Sequence, residues 1–258
     1  MNNRLVSTLF ILILIIFSCK KEDPKIPEED QLNLHISGSH FDYYYSENDQ
    51  DIIDTTWQEQ YYSWLLNQLD IDSTPKLQYY KYRDNDHIGK VTGDYGNGFA
   101  VVGTNKFNTI WFVDSHECVH TVVTLMIGWP PALFNEGIAV AHQADYFKYP
   151  DFIPGWNGKD FHTLSKQHFN DNEIPTLDNL LGEYTFWDFK SDLTYPVAGS
   201  FTTFIIDTYG INMLKKYISI SDFHDEKDKI RSDFKNTFQK SIDAVWLEWI
   251  DFLKTYDK

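Results

Sequence analysis

The spacing of hydrophobic and polar positions changes along the chain, and the change separates two halves. From residue 32 the pattern is short and alternating. Leu34-His35-Ile36 and Phe41-Asp42-Tyr43-Tyr44-Tyr45, parted by Ser37-Gly38-Ser39, predict two strands and a turn. Apolar residues at 52, 53, 57, 61, 64, 65 and 69 form one helical stripe, which predicts a helix over 51–69. Residues 77–82 and 98–103 predict further strands, and 110–113 is an apolar run of strand character. Beyond it the period is helical. Residues 121–127 carry a helix onward until Gly128-Trp129-Pro130-Pro131 stops it, because proline lacks the amide donor and clashes with the preceding turn. A second helix is predicted over 132–147 and a proline- and aromatic-rich loop over 149–156. Helices follow at 161–169, 177–181, 196–209, 211–220, 225–239 and 242–256. The predicted fold class is α+β: a small mixed β-sheet in an N-lobe of about 32–127, then a mainly helical C-lobe of about 128–258.

The amino terminus has its own pattern. Residues 5–17 are nearly all apolar and follow Met1-Asn2-Asn3-Arg4. Such a run suits the core of a signal peptide and is short of the ~20 residues of a membrane-spanning helix. Ile16-Phe17-Ser18-Cys19 resembles a bacterial lipobox, so residues 1–18 are expected to be removed and Cys19 to carry lipid. Lys20-Lys21-Glu22-Asp23 resembles the surface-export tether of Bacteroidota lipoproteins. Residues 19–31, with prolines at 24 and 27 and no apolar period, predict a flexible stalk. The expected location is the bacterial cell envelope, as an outer-membrane lipoprotein exposed at the surface, with the membrane as partner through the lipid at Cys19.

Charge narrows the partners further. The chain has 22 basic and 38 acidic residues, a net charge of −16; loss of residues 1–18 removes Arg4 and makes it −17. That excludes nucleic-acid binding, which needs a basic footprint, and adhesion to anionic lipid. The cysteines are Cys19 and Cys118. With Cys19 lipidated no intramolecular disulfide remains, so the core alone must hold the domain, and oligomeric state stays open. Aromatics make up 17% of the chain, and most are expected in the core; Trp156, Phe186 and Trp187 fall in loops that can wall a cleft.

The chemistry lies between the halves. His116-Glu117-Cys118-Val119-His120 is an HExxH motif. Histidines four apart stand one turn apart on one helix face and can each give a nitrogen to zinc, at ~2.0–2.1 Å. Glu117 lies on the neighbouring face, free to take a proton from water acidified by the metal. Cys118 projects away and reads as a small buried apolar residue. A third ligand is needed, and Glu136, with fifteen residues between it and His120, can return on an antiparallel helix. His142, His162, His168 and His224 read as satisfied or surface histidines.

HECVH followed by Pro131-Ala132-Leu133-Phe134-Asn135-Glu136-Gly137-Ile138-Ala139 resembles the gluzincin metallopeptidases, the peptidase MA-like group related to thermolysin and aminopeptidase N. The specific part is 114–140; looser similarity runs over 32–258. The resemblance implies a Zn2+ held by His116, His120 and Glu136, with Glu117 as general base and a peptide or protein substrate. Tyr195, in Tyr195-Pro196-Val197-Ala198-Gly199-Ser200-Phe201, takes the place of the tyrosine that steadies the oxyanion. It also implies a substrate-pairing sheet edge, for which Gly98-Phe99-Ala100-Val101 is the candidate. Three features depart from the group. The interval from HExxH to the glutamate is shorter than in aminopeptidase N, no anchor for a substrate amino terminus precedes the motif, and Val140 stands where an acid often orients a ligand histidine. The alternatives are a surface-binding lipoprotein with weak or no turnover on the same scaffold, and a zinc hydrolase acting on something other than peptides.

Overall fold

A computed structural model describes residues 26–49 and 51–257. The signal peptide, the lipobox and Cys19 lie outside the described residues. The fold is α+β: a five-stranded mixed sheet, one helix-covered face of which leads into a helical C-terminal part.

The strands are β1 (Asn33–Ser37), β2 (Phe41–Tyr45), β3 (Leu77–Lys81), β4 (Gly98–Ala100) and β5 (Lys106–Thr109), in the order β1-β2-β3-β5-β4. β2, β3 and β5 are parallel, while β1 and β4 run antiparallel at the two edges. Alternation along β2 and β3 sends Phe41, Tyr43 and Tyr79 to one face, where they meet Phe107 as a buried aromatic layer. The other face carries Tyr44 stacked on Tyr80 at 4.4 Å, with the Lys106 ammonium over the Tyr80 ring.

Between the strands lie α1 (Thr55–Gln68) and α2 (Asn85–Thr92). After them come α3 (Ser115–Met126), α4 (Ala132–His142), α5 (Phe161–Asn170), α6 (Leu177–Leu180), α7 (Ser191–Tyr209), α8 (Ile211–Ile218), α9 (Lys227–Phe238) and α10 (Ile242–Thr255). Part of the acid excess is spent on helix starts: Asp54, Asp84, Asp114 and Asp160 each accept a backbone N–H as N-caps of α1, α2, α3 and α5. One hydrophobic cluster runs from the sheet through α1, α3 and α4 to α10, so the two lobes share a core.

Several boundaries differ from those read in the sequence. α1 starts at its Asp54 cap rather than at 51, and α4 stops at His142 rather than 147, because Gln143 turns extended. The strand beside α3 is Lys106–Thr109, ahead of the apolar run at 110–113. α2 had no counterpart in the predicted pattern. α7 begins at Ser191 and takes Pro196 into its interior. The carbonyl of Asp192, which Pro196 has no N–H to meet, accepts instead from His168 Nε2 at 3.1 Å. Residues 28–30, expected within the stalk, form a 3-10 turn whose Asp30 is buried and paired with Arg83.

Candidate metal centre

The start of α3 places the motif. Asp114 Oδ1 accepts from the Glu117 amide at 2.9 Å, so His116 and Glu117 occupy the helix's first turn. The cap is held in turn by Gln58 of α1, fully buried, which donates from Nε2 to the Asp114 carbonyl and accepts from the Asp114 amide. Ser115 Oγ donates to the Ala144 carbonyl and accepts from the Ala144 amide, tying this end of α3 to the end of α4. The helices therefore reverse on each other as expected, and Glu136 faces the two histidines.

His116 Nε2, His120 Nε2 and Glu136 Oε2 form a triangle with edges of 3.1, 3.3 and 3.4 Å. Ligand atoms at ~2.0–2.1 Å around a tetrahedral ion stand ~3.3 Å apart. It is the one group among the described residues with metal-ligand spacing. The orientation of the atoms fits a cation too. His116 Nδ1 lies 2.7 Å from Gln143 Oε1, and Gln143 Nε2 donates to the Gly155 carbonyl at 2.5 Å. A carbonyl only accepts, so the Gln143 amide can point only one way, its oxygen takes the His116 Nδ1 proton, and the neutral ring presents a lone pair at Nε2. Glu136 Oε2 is buried with only the two imidazole nitrogens, at 3.3 and 3.4 Å, beside it, while its Oε1 accepts from Asn135 Nδ2. The buried His-His-Glu group can thus hold a metal ion.

Charges inside the site follow from burial and from each other. Burial works against the Glu136 carboxylate, yet the His120 charge and hydrogen bonds from both rings hold its carboxyl far below the usual range. Burial also opposes a charged His116, but hydrogen bonding to Glu136 and the fields of Glu136, Glu117 and Asp114 outweigh it and push the ring up to about 9. A metal ion at this centre therefore competes with a proton for the His116 ring. Glu117 belongs to no edge of the triangle. Its burial raises the carboxyl to about 7, against the opposing fields of His120 and His116.

The C-terminal half closes the site through two glycines. A Cβ on Gly137 would stand 2.8 Å from the Ala198 carbonyl, and one on Gly199 2.4 Å from Val140 Cγ1. α4 and α7 cross at this bare contact, which brings Tyr195 to the ligands. Its ring stacks on His116 at 5.7 Å and lies 4.8 Å from Trp156. Burial, with Glu136 and Glu117 beside it, drives the phenol far above its ordinary range, so it stays a neutral donor.

Edge strand β4 forms the facing wall. A Cβ on Gly98 would meet the Asn108 carbonyl at 2.9 Å and Glu117 Cγ at 3.1 Å, so only glycine lets the strand lie this close to α3. Two cavities, of about 580 and 220 Å³, share Gly98, His116, Glu117 and Tyr195 in their linings. The larger extends past Trp111 and Trp156 to Asp192, the smaller past Phe99, Ala100 and Trp129.

The structure thus brings His116, Glu117, His120, Glu136 and Tyr195 together, with the edge strand beside them. Cys118 is fully buried. Phe186, expected at a cleft wall, is instead fully buried in the core. His142, His162, His168 and His224 stand outside the ligand group, on the Ile138 carbonyl, Ser200, Glu173 and Glu183 respectively. Gln143, Asp114 and Gln58 were not read as site residues. Asp114-Ser115-His116-Glu117 carries the capping signal that could have identified Asp114; the two glutamines meet the site only through tertiary contacts. No family model matches the chain, and no curated protein or solved structure shows significant similarity to it.

Proposed function

We propose that the chain is a zinc-dependent metallopeptidase of the gluzincin type, carried on the cell envelope by a lipid at Cys19. The observation that carries this reading is the meeting, in one cleft, of the three-ligand triangle with a separate half-buried carboxylate, Glu117. Two imidazoles and a carboxylate with an open position suit catalytic zinc, held by His116, His120 and Glu136. Bound there, zinc would polarise a scissile carbonyl and lower the pKa of water to about 7. Glu117 then takes the proton of the attacking water; its own raised pKa lets it return that proton to the leaving amine. The neutral Tyr195 phenol donates to the carbonyl oxygen as that atom gains charge. Gln143 keeps the His116 ring turned. β4 offers an extended peptide a free strand edge, and cavities on both sides of Glu117 leave room for residues flanking the scissile bond, which favours cleavage within a chain.

Glu117→Gln is expected to retain stoichiometric zinc by elemental analysis while turnover of a mixed-peptide substrate falls ~10²–10⁴-fold. Near-normal, chelator-sensitive cleavage by that variant would refute the role. For the anchor, the lipobox at 16–19 is the support. Cys19→Ala should move the protein from the membrane to the soluble fraction and abolish incorporation of labelled fatty acid; unchanged fractionation removes the anchor from the reading.

A further inference from the structure

The larger cavity has an outer part that the proposed hydrolysis does not use. Its twelve lining residues include Asp114, Glu117 and Asp192 but no lysine or arginine. Asp192, in the first turn of α7, is held by the loop that carries Trp156: its Oδ1 accepts from Trp156 Nε1 and Asn157 Nδ2, both at 3.1 Å. Both donors fall on the same oxygen, and Oδ2 has no hydrogen-bond or ion-pair partner among the described residues. An acid at this place also serves the helix dipole. That role does not account for the indole near it. Trp111 lines the same cavity with half its surface, 50%, exposed, and has no ring partner among the described residues. A large apolar side chain open to a cleft marks a contact surface, and indole faces are the best aromatic partners for cations.

We propose that this outer cavity binds a monovalent organic cation of the substrate, an alkylammonium or guanidinium group, with Oδ2 of Asp192 taking the charge and Trp111 and Trp156 forming the walls. The group is either a lysine or arginine side chain or a free amino terminus, and it would set which peptides are cleaved. The proposal rests on the peptidase reading, since it concerns the same cleft.

The test uses a hexapeptide with a dye at its carboxyl end. Arginine or its neutral isostere citrulline is placed at each position in turn, with the amino terminus free or acetylated. Binding is read by anisotropy on zinc-loaded Glu117→Gln protein, so that it is measured whether or not the parent hydrolyses. Cation-bearing peptides should bind roughly tenfold more tightly than their neutral twins. Asp192→Asn, introduced into the same background, should erase the difference. Asparagine keeps an acceptor for Trp156 and Asn157, and an unchanged Tm shows that the cavity survives. A preference that follows arginine assigns the side chain; one that follows acetylation assigns the amino terminus. Discrimination absent from the start, or surviving in Asp192→Asn, overturns the assignment. Zinc-dependent cleavage by the parent without cation preference sinks this inference alone, whereas Asp192-dependent cation selectivity without any cleavage by the parent sinks the peptidase reading and leaves the site.

Discussion

Every residue of α4, on the ligand side of the cleft, is buried, whereas all three residues of β4 on the opposite side are partly open to solvent. The ligand side is built from helices whose approach is set by backbone contact at Gly137 and Gly199, with the cap of α3 clamped by Gln58. The other side consists of a three-residue edge strand, two indoles and an exposed acid. On the proposed reading, chemistry that depends on sub-ångström placement falls to packed helices, and recognition to an edge and loops that can adapt. Substitutions on the ligand side should change metal content and stability; those on the open side should change substrate preference.

The largest effect expected is from His120→Ala. It removes one corner of the triangle, and elemental analysis after dialysis should find far less than one zinc per chain; stoichiometric zinc would take His120 out of the ligand set.

The next prediction probes how acid-sensitive the packed side is. Burial lowers the His142 ring to about 4, against ~6.5 in an unfolded chain. The unfolded state therefore takes up the proton first. This contribution is flat above pH 6.5, costs stability as pH falls from 6.5 to 4, and is flat again below, for a total of at most about 3 kcal/mol. His142→Gln should flatten that part of a denaturation-versus-pH series; an unaltered slope would show that other groups carry it.

The smallest of the three tests the link between the sides. Gln143 joins a ligand ring to the loop that bears Trp156, so Gln143→Ala should weaken zinc affinity or turnover ~10–100-fold without unfolding the domain. Zinc affinity and turnover both equal to the parent's would show that the His116 ring is positioned without it.

The comparison also explains what could be read from the chain in advance. The triangle was legible because its residues obey local rules: a one-turn spacing in α3, a proline stop, a reversal. β5 was not, since in Lys-Phe-Asn-Thr the buried polar residues make sense only with partners from elsewhere; Asn108 accepts from Tyr82 of the segment after β3. α2, eight residues with a glycine inside, is too short and mixed for its period to stand out. Pro196 looked like a helix start because a proline interior to a helix needs a donor for the orphaned carbonyl, and His168 arrives from α5 to supply it. Gln143 was invisible for the same reason: an amide at the end of a helix becomes a ligand's partner only once the loop supplies the Gly155 carbonyl.

That choice of an amide has an outcome for the conditions the protein can meet. Where a carboxylate supports a ligand imidazole, acid can protonate the support and release the ring. The support here is a primary amide leaning on a peptide carbonyl, and neither group gains or loses a proton across the pH range in which proteins stay folded. The tautomer of His116 is therefore set by a part of the molecule that does not respond to acidity, so changes in the surrounding medium reach the centre through its own ligands and Glu117, not through the device that aims them.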